Sequence, residues 1–225
     1  MKKISKIKLE KFCKELGADL FGVADIRDIK KDFTNLSGSN KMDTAICLGV
    51  RVQNAILNDI QNQPTKLYFH HYRNLNMFLD QLALRVANFL QNAGFLALPI
   101  PASQIVDWQK QSAHLSHKKI GYLAGLGWIG RNNLLVNKKF GSQFRLVTIL
   151  TDMNTKVDMP TKDNCASCFA CIESCPVGAI KKEPKDFEHL KCFEKLKEFK
   201  KQHIVEQCIC GICVKACMGK VFARK

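Results

Sequence analysis

The first half of the chain carries two apolar patterns with helical spacing. Apolar residues recur at this spacing over Ile4–Leu16, and Gly17 follows as a C-cap. A longer pattern of the same kind covers Pro64–Asn92 and is closed by Gly94. The sequence therefore predicts one short and one long amphipathic helix.

Short apolar runs predict buried strands between and after these helices. The predicted strands cover Leu20–Ala24, Thr44–Val52, Phe95–Ile100, Leu134–Val136 and Phe144–Leu150, and residues 115–124 form a further helical pattern. Lone cysteines on the apolar faces, Cys13 and Cys47, are interpreted as core residues. Because helices and strands alternate irregularly, the fold class expected is α/β of the mixed α+β kind.

A polar stretch marks the predicted domain boundary. Thr151–Asn164 is polar and contains Pro160, so we expect a domain over residues 1–155 and a smaller one over residues 156–225. The chain contains no run of 18 apolar residues, and its charged N-terminal segment lacks the apolar core of a signal peptide. These features predict a cytoplasmic protein that does not enter a membrane.

Charge changes this picture for the first domain. The chain has a formal net charge of +15, of which residues 1–155 carry +10 and residues 156–225 carry +5. Thiolates that bind metal clusters would bring the second value close to neutrality. The excess in the first domain suits an anionic partner such as RNA or a phosphorylated cofactor, but it also fits a lysine-rich composition without functional meaning.

Cysteine spacing carries the strongest chemical signal. Nine of the eleven cysteines lie between Cys165 and Cys217, in the order C-x2-C-x2-C-x3-C-P, a lone cysteine, then C-x-C-x2-C-x3-C. This spacing is typical of a module with two 4Fe-4S clusters, in which the fourth cysteine of a run binds the other cluster. A disulfide framework is disfavoured in a reducing compartment, and a zinc site would leave several cysteines without a role.

The spacing assigns most of the cluster ligands. One cluster is expected to take Cys165, Cys168, Cys171 and Cys217. The other is expected to take Cys175, Cys210, Cys213 and either Cys192 or Cys208. Cys208 lies two residues from Cys210 and would strain the loop, which favours Cys192.

A glycine motif at Gly125–Gly130 has the spacing G-x-G-x-x-G but the wrong surroundings for a dinucleotide site. Such a site needs a strand before the glycines and a helix after them, whereas a helical pattern precedes them here. We expect these glycines to permit a close backbone approach to a flat cofactor or to the cluster module. Gly127, Trp128 and Gly130 are therefore candidate cofactor-binding residues.

With these residues in view, the chain resembles the epoxyqueuosine reductase family. The matching segments are A-G-L-G-W-I-G-R-N-N-L-L-V at Ala124–Val136, G-S-Q-F-R-L-V-T-I-L-T-D at Gly141–Asp152, and the cysteine run at Cys165–Ile180. The resemblance also favours Cys192 as the lone ligand. It implies a cobalamin-binding first domain distantly like nitroreductases, with a ferredoxin-like domain of two 4Fe-4S clusters packed against it.

The resemblance also implies a reaction. Electrons from the clusters would reduce bound cobalamin, which removes an epoxide oxygen from a modified tRNA base with an aspartate as proton donor. The position expected for that aspartate holds Gln111, and the nearby candidates for the role are Asp107, His114 and His117. A low-potential electron donor such as ferredoxin or flavodoxin is implied as a partner, and tRNA as a substrate.

Two other functions stay open at the level of sequence. The chain could be a non-catalytic electron carrier, or a reductive activator of a separate corrinoid or redox protein. It could also be an RNA-binding module in which the clusters are structural. A carrier needs no large first domain with a pocket of its own, so the sequence favours an iron–sulfur oxidoreductase that passes electrons to a bound corrinoid.

Overall fold

The computed structural model describes residues 4–109 and 111–219. Its regular elements, in chain order, are α1 (Lys6–Glu15), β1 (Leu20–Asp25), β2 (Thr44–Arg51), α2 (Asn54–Asn58), α3 (Lys66–Asn92), β3 (Ala97–Ile100), α4 (His117–Leu123), β4 (Trp128–Ile129), β5 (Leu135–Val136), β6 (Phe144–Thr151), α5 (Ala170–Glu173), α6 (His189–Lys201) and α7 (Ile212–Ala216). Short 3₁₀ turns cover Arg27–Asp32, Ser37–Ser39 and Pro184–Asp186.

The elements group into two compact units that interleave along the chain. The first comprises the described residues of Met1–Val50, Asn76–Leu126 and Arg145–Thr161. The second comprises those of Arg51–Leu75, Gly127–Phe144 and Lys162–Lys225. The domain boundary expected between residues 155 and 156 stays a prediction.

The first unit is built on a four-stranded sheet in the order β1-β2-β6-β3. Strand β1 pairs antiparallel with β2, with Leu20 opposite Gly49, and β3 pairs antiparallel with β6, with Ala97 opposite Thr151. The two central strands are buried along almost their whole length. A strand covered on both faces needs a nearly continuous apolar sequence, which is the pattern that predicted these two strands.

Helices α1 and α4 both contact β1 in this unit. Helix α1 begins after Ser5, whose side chain accepts a hydrogen bond from the Lys8 amide at 3.2 Å. It ends before Gly17, which adopts a left-handed φ of 102°. Cys13 and Cys47 are fully buried, and burial raises the pKa of each thiol to about 12. Both are therefore core residues, as predicted.

The second unit contains the β4–β5 hairpin, in which Trp128 lies opposite Val136. Its first segment supports the last helix, because the Lys215 ammonium donates hydrogen bonds to the carbonyls of Asn58, at 3.2 Å, and Ile60. Gly211, at the start of α7, packs so closely on Ile60 and Tyr68 that a Cβ there would come within 2.7 Å of both side chains.

Two points of the sequence analysis are settled by this arrangement. The mixed α/β fold is confirmed, and helix α4, not a strand, precedes the glycine motif. Within the described ranges, none of the helices has both the length and the apolar character needed to cross a membrane.

Candidate functional site

The second unit brings four of the predicted ligands together, which we call the first thiol group: Cys165, Cys168, Cys171 and Cys217. Burial, followed by the neighbouring thiols of Cys217, Cys165 and Cys168, raises the pKa of Cys171 to about 11. Burial also raises the pKa of Cys217, and Cys165 and Cys168 add to this effect. The four thiols are therefore close enough to interact electrostatically.

A second thiol group consists of Cys175, Cys192, Cys210 and Cys213. Burial raises the pKa of Cys210 to about 11, and its neighbours Cys192 and Cys175 contribute. Burial raises the pKa of Cys213 well above its ordinary value, and the largest thiol contributions come from Cys210 and Cys192. Burial and then Cys175 raise the pKa of Cys192.

Cys208 does not figure among the electrostatic neighbours of these thiols in the described part of the chain. The two groups adjoin where α5 contacts α7, because α5 carries Cys171 and α7 carries Cys213. Cys171 is also a neighbour of Cys213 across this contact. Two centres bound by these groups would be close to each other.

The eight thiols are ligands of the type that iron–sulfur clusters require. Across residues 4–109 and 111–219, no three histidine, cysteine or acidic side chains converge tightly enough to hold one ion. Four thiolates around a core of four irons and four sulfides stand further apart than four thiolates around one zinc.

Arg131 fixes the backbone of the first cysteine run. Its guanidinium donates hydrogen bonds to the carbonyls of Lys182, Cys168 and Ala166, at 2.6, 2.7 and 2.8 Å. Its guanidinium carbon also lies 4.6 Å from the centre of the Phe169 ring. The Arg131 side chain itself is only 9% exposed, and its contacts hold the loop between Cys165 and Cys168 in place.

Two donors from the segment Gly127–Phe144 point at sulfur atoms of the first thiol group. The Trp128 indole N–H donates to Cys165 Sγ at 3.3 Å. The hydroxyl of Ser142 hydrogen-bonds to the Cys217 thiol and lowers its pKa, in opposition to burial, while the Ser142 backbone N–H donates to the Cys217 carbonyl at 3.2 Å. Ser142 Oγ accepts from Asn132 Nδ2 at 3.1 Å, which leaves the serine hydrogen for the sulfur.

The candidate cofactor glycines serve close backbone packing in this unit. A Cβ at Gly127 would collide with the Val136 carbonyl, and one at Gly130 would approach Val136 Cγ2 to 2.5 Å and Cys165 Sγ to 3.5 Å. Gly141, with a φ of 59°, would collide in the same way with the Cys217 carbonyl. Gly127, Trp128 and Gly130 thus lie against the hairpin and the first cysteine run.

In the first unit, His117 has a hydrogen-bond partner at each ring nitrogen. Nε2 donates to the Pro101 carbonyl at 2.9 Å, so Nδ1 of the neutral ring accepts from Thr148 Oγ1 at 2.8 Å. Burial lowers the pKa of the ring to about 4. A neutral imidazole with both nitrogens occupied is suited to a structural role better than to proton donation.

Asp107 and Gln111 lie in one turn of the first unit. The backbones of Asp107 and Ser112 exchange hydrogen bonds of 3.1 and 3.0 Å, and the Asp107 carboxylate accepts from the Gln109 amide at 2.9 Å. Gln111 adopts a left-handed φ of 51°. His114 donates from Nδ1 to the Thr34 carbonyl at 2.8 Å.

The first unit also contains a polar cavity of about 390 Å³, lined among others by Asp25, Arg27, Lys41, Asp43 and Asp152. Several of these groups already pair: Arg27 with Asp25, and Lys30 with Asp43 at 2.6 Å. A hydrogen bond from Arg27 lowers the pKa of Asp25. A small cavity lined by charged pairs does not fit a large, flat corrin ring.

Sequence reasoning missed Arg131, Asn132 and Ser142 as parts of the site. Their residue types gave a weak signal, because an arginine and two small polar residues occur in many turns. The stronger signal was their position: Arg131 and Asn132 directly follow the glycine motif, and Ser142 lies in the second segment that matched the reductase family.

Comparison with known proteins supports the resemblance. No model of a protein family matches the chain. The epoxyqueuosine reductase of Leadbetterella byssophila is 38% identical over 112 residues, which cover 45% of this chain and 36% of the relative. That of Escherichia coli is 38% identical over 85 residues, 38% of this chain and 22% of the relative. The chain thus matches about a third or less of the length of these relatives.

Solved structures share the fold. The epoxyqueuosine reductase of Streptococcus thermophilus superposes with a TM-score of 0.62 at 20% identity, covering 94% of this chain and 65% of that one. A catabolic reductive dehalogenase, NpRdhA, in complex with 3-bromo-4-hydroxybenzoic acid gives 0.74 at 17% identity, covering 93% and 31%. The resemblance to epoxyqueuosine reductases predicted from the sequence is confirmed.

Proposed function

We propose that the chain is an iron–sulfur oxidoreductase that passes electrons through two 4Fe-4S clusters to a bound corrinoid for reductive chemistry. The observation that carries the proposal is that the second unit gathers eight cysteines with the spacing of a two-cluster module, and that neighbouring thiols help to raise the pKa of five of them. The epoxyqueuosine reductases among its relatives support the same class of reaction.

The thiols fit the clusters chemically. The raised pKa values of Cys171, Cys192, Cys210, Cys213 and Cys217 mean that these metal-free thiols are protonated near neutral pH, so cluster assembly would release protons. The first thiol group would bind one cluster, and the second would bind the other, with Cys192 in preference to Cys208. When bound, such clusters accept and release single electrons at low potential.

The protein's own residues prepare this site. Arg131 donates a hydrogen bond to the Cys168 carbonyl and so stabilises one conformation of the loop that carries the first ligands. Trp128 and Ser142 supply hydrogen bonds to sulfur of the kind that tune metal centres. We further propose that the second unit has the ferredoxin-like character expected from the sequence, and the first unit the nitroreductase-like character.

Corrinoid binding rests on the likeness of fold. A solved reductive dehalogenase with this fold is described as suggesting a mechanism for B12-dependent dehalogenation. The polar cavity of the first unit does not fit a corrin ring, so its lining residues are not the proposed corrinoid site.

A modified tRNA base is the proposed substrate. One epoxyqueuosine reductase with this fold was solved with an epoxyqueuosine-modified tRNA stem loop, and the basic excess of residues 1–155 would suit an RNA. Among the candidate proton donors, Asp107 is favoured over His117, because both nitrogens of His117 are occupied. A low-potential donor such as ferredoxin or flavodoxin would supply the electrons.

The test is an electron paramagnetic resonance experiment on anaerobically reconstituted protein mixed with cob(II)alamin. Cluster signals after reduction, together with loss of the axial-nitrogen splitting of the corrinoid, are expected. Two reducible clusters beside unchanged cobalamin would instead support an electron carrier. Protein that binds no iron would overturn the proposal.

A further inference from the structure

The two thiol groups differ in the number of donors that reach their sulfur atoms. The first group receives the indole N–H of Trp128 and the hydroxyl of Ser142. For the second group, the described residues show one backbone donor, the Ile212 amide to Cys210, and the charge of Lys195 acts on the same thiol. The environments of the two groups are therefore unequal.

The side chains that donate to the first thiol group are shielded from solvent and held in position by the surrounding backbone. Trp128 and Ser142 are 5% and 3% exposed, and Asn132, which holds the serine oxygen, is buried to the same degree. Trp128 is paired with Val136 in the hairpin, and the Asn137 and Gly141 backbones exchange hydrogen bonds of 2.7 and 2.8 Å just before Ser142. Such donors keep their direction and act in a medium of low dielectric constant.

Arg131 adds a positive charge to the same side. The guanidinium bonds to the carbonyls of Cys168 and Ala166, both within the loop that carries the first ligands. Its other contacts in the described chain are the Lys182 carbonyl and the Phe169 ring. These partners are uncharged, so they leave the field of the guanidinium in place.

We propose that Trp128, Ser142 and Arg131 raise the reduction potential of the cluster on the first thiol group above that of the second. Reduction adds one negative charge that spreads over the sulfur atoms, so donors and a nearby cation stabilise the reduced form more than the oxidised form. This inference rests on the proposed function, since it requires both clusters.

The inference sets the direction of electron flow. With both clusters bound, the second thiol group would hold the centre that accepts an electron from a low-potential one-electron donor, and the first group, which adjoins it at the α5–α7 contact, would hold the centre that receives this electron next. Each transfer oxidises one centre and reduces the next by one electron, and no proton is consumed. The first cluster then holds the electron until the acceptor takes it.

The test is a potentiometric titration of the reconstituted full chain, followed by electron paramagnetic resonance. Trp128→Phe keeps an aromatic ring and removes the N–H. We expect the potential of one cluster to fall by ~59 mV, a tenfold change in its ratio of oxidised to reduced form. The signal that moves should be the one lost in Cys171→Ser.

The matched control is Trp108→Phe, the same chemical change at a tryptophan of the first unit that is 66% exposed. It should leave both potentials unchanged. Ser142→Ala provides a second variant if Trp128→Phe loses its clusters, with a shift expected in the same signal. Unchanged potentials in a variant with full iron content, or a shift confined to the other cluster, would overturn the inference. Wild-type protein that binds no iron would overturn the proposed function instead.

Discussion

Acid is expected to destabilise the first unit through His117. The unfolded chain binds the imidazole proton with an ordinary pKa of 6.5, whereas the partly buried ring in the folded chain has a pKa of about 4. Protonation of Nδ1 would also remove the hydrogen bond that this nitrogen accepts from the Thr148 hydroxyl. Because the unfolded state binds more protons between these values, the stability that the neutral ring provides is complete above pH 6.5 and is lost as pH falls toward 4.

The magnitude follows from the two pKa values. The loss reaches about 3 kcal/mol well below pH 4 and is about 2 kcal/mol at pH 5, which corresponds to a fall in the melting temperature of about 4–8 °C. His117→Gln keeps an amide donor for the Pro101 carbonyl and does not titrate. We therefore expect this variant to lose about 2 kcal/mol less stability than the wild type between pH 7.5 and pH 5.

The assay is anaerobic thermal unfolding of cluster-loaded protein at both pH values. The carboxylates and the clusters contribute equally to the pH dependence of both proteins. Their contribution therefore cancels when the change in stability of the variant is subtracted from that of the wild type. His70→Gln, the loss of an exposed histidine on α3, serves as the control and should follow the wild type. If His117→Gln kept the full pH dependence of the wild type, the assignment of the acid loss to this ring would be refuted.

Three further predictions concern the second unit. Cys192→Ser should reduce the iron content from about eight to about four per chain, while Cys208→Ser should leave it unchanged; iron analysis after reconstitution decides between the two ligands. Arg131→Met should lower the free energy of unfolding by about 2 kcal/mol, since three part-buried carbonyls lose a charged donor, and an equal melting temperature in the two proteins would contradict this. Gly141→Ala and Gly178→Ala both place alanine at a φ of 59°, which costs about 1 kcal/mol, but only Gly141 meets the Cys217 carbonyl, so the first variant should melt well below the second.

Local patterns predicted the larger elements before residue 152 well, whereas helix α6 was not predicted. The helix expected over Pro64–Asn92 is α3 at Lys66–Asn92, and the strand expected over Thr44–Val52 is β2 at Thr44–Arg51. Helix α2 was missed, since so short a helix shows no period. Strand β4 was missed as well, because its two residues pair with β5 only through the close approach of Gly127 to Val136.

The site was predictable only as far as cysteine spacing reaches. Cysteine spacing predicts the residues that can bind a cluster, but it does not predict the hydrogen-bond donors around them. Ser142 reaches Cys217, and Trp128 reaches Cys165, across long stretches of intervening sequence, so both contacts depend on tertiary folding. The hydrogen bonds of His117 with Pro101 and Thr148 could not be predicted from the sequence for the same reason.

The crossed ligand sets have a consequence for biosynthesis. In the proposed scheme each cluster takes three ligands from one stretch of chain and one from the other: Cys217 completes the first group, and Cys175 completes the second. Neither cluster can be closed while the ribosome has yet to add the later cysteines, so metal insertion must follow synthesis of both runs. Once inserted, each cluster closes a long loop of chain, and loss of either one would loosen the ligands of the other.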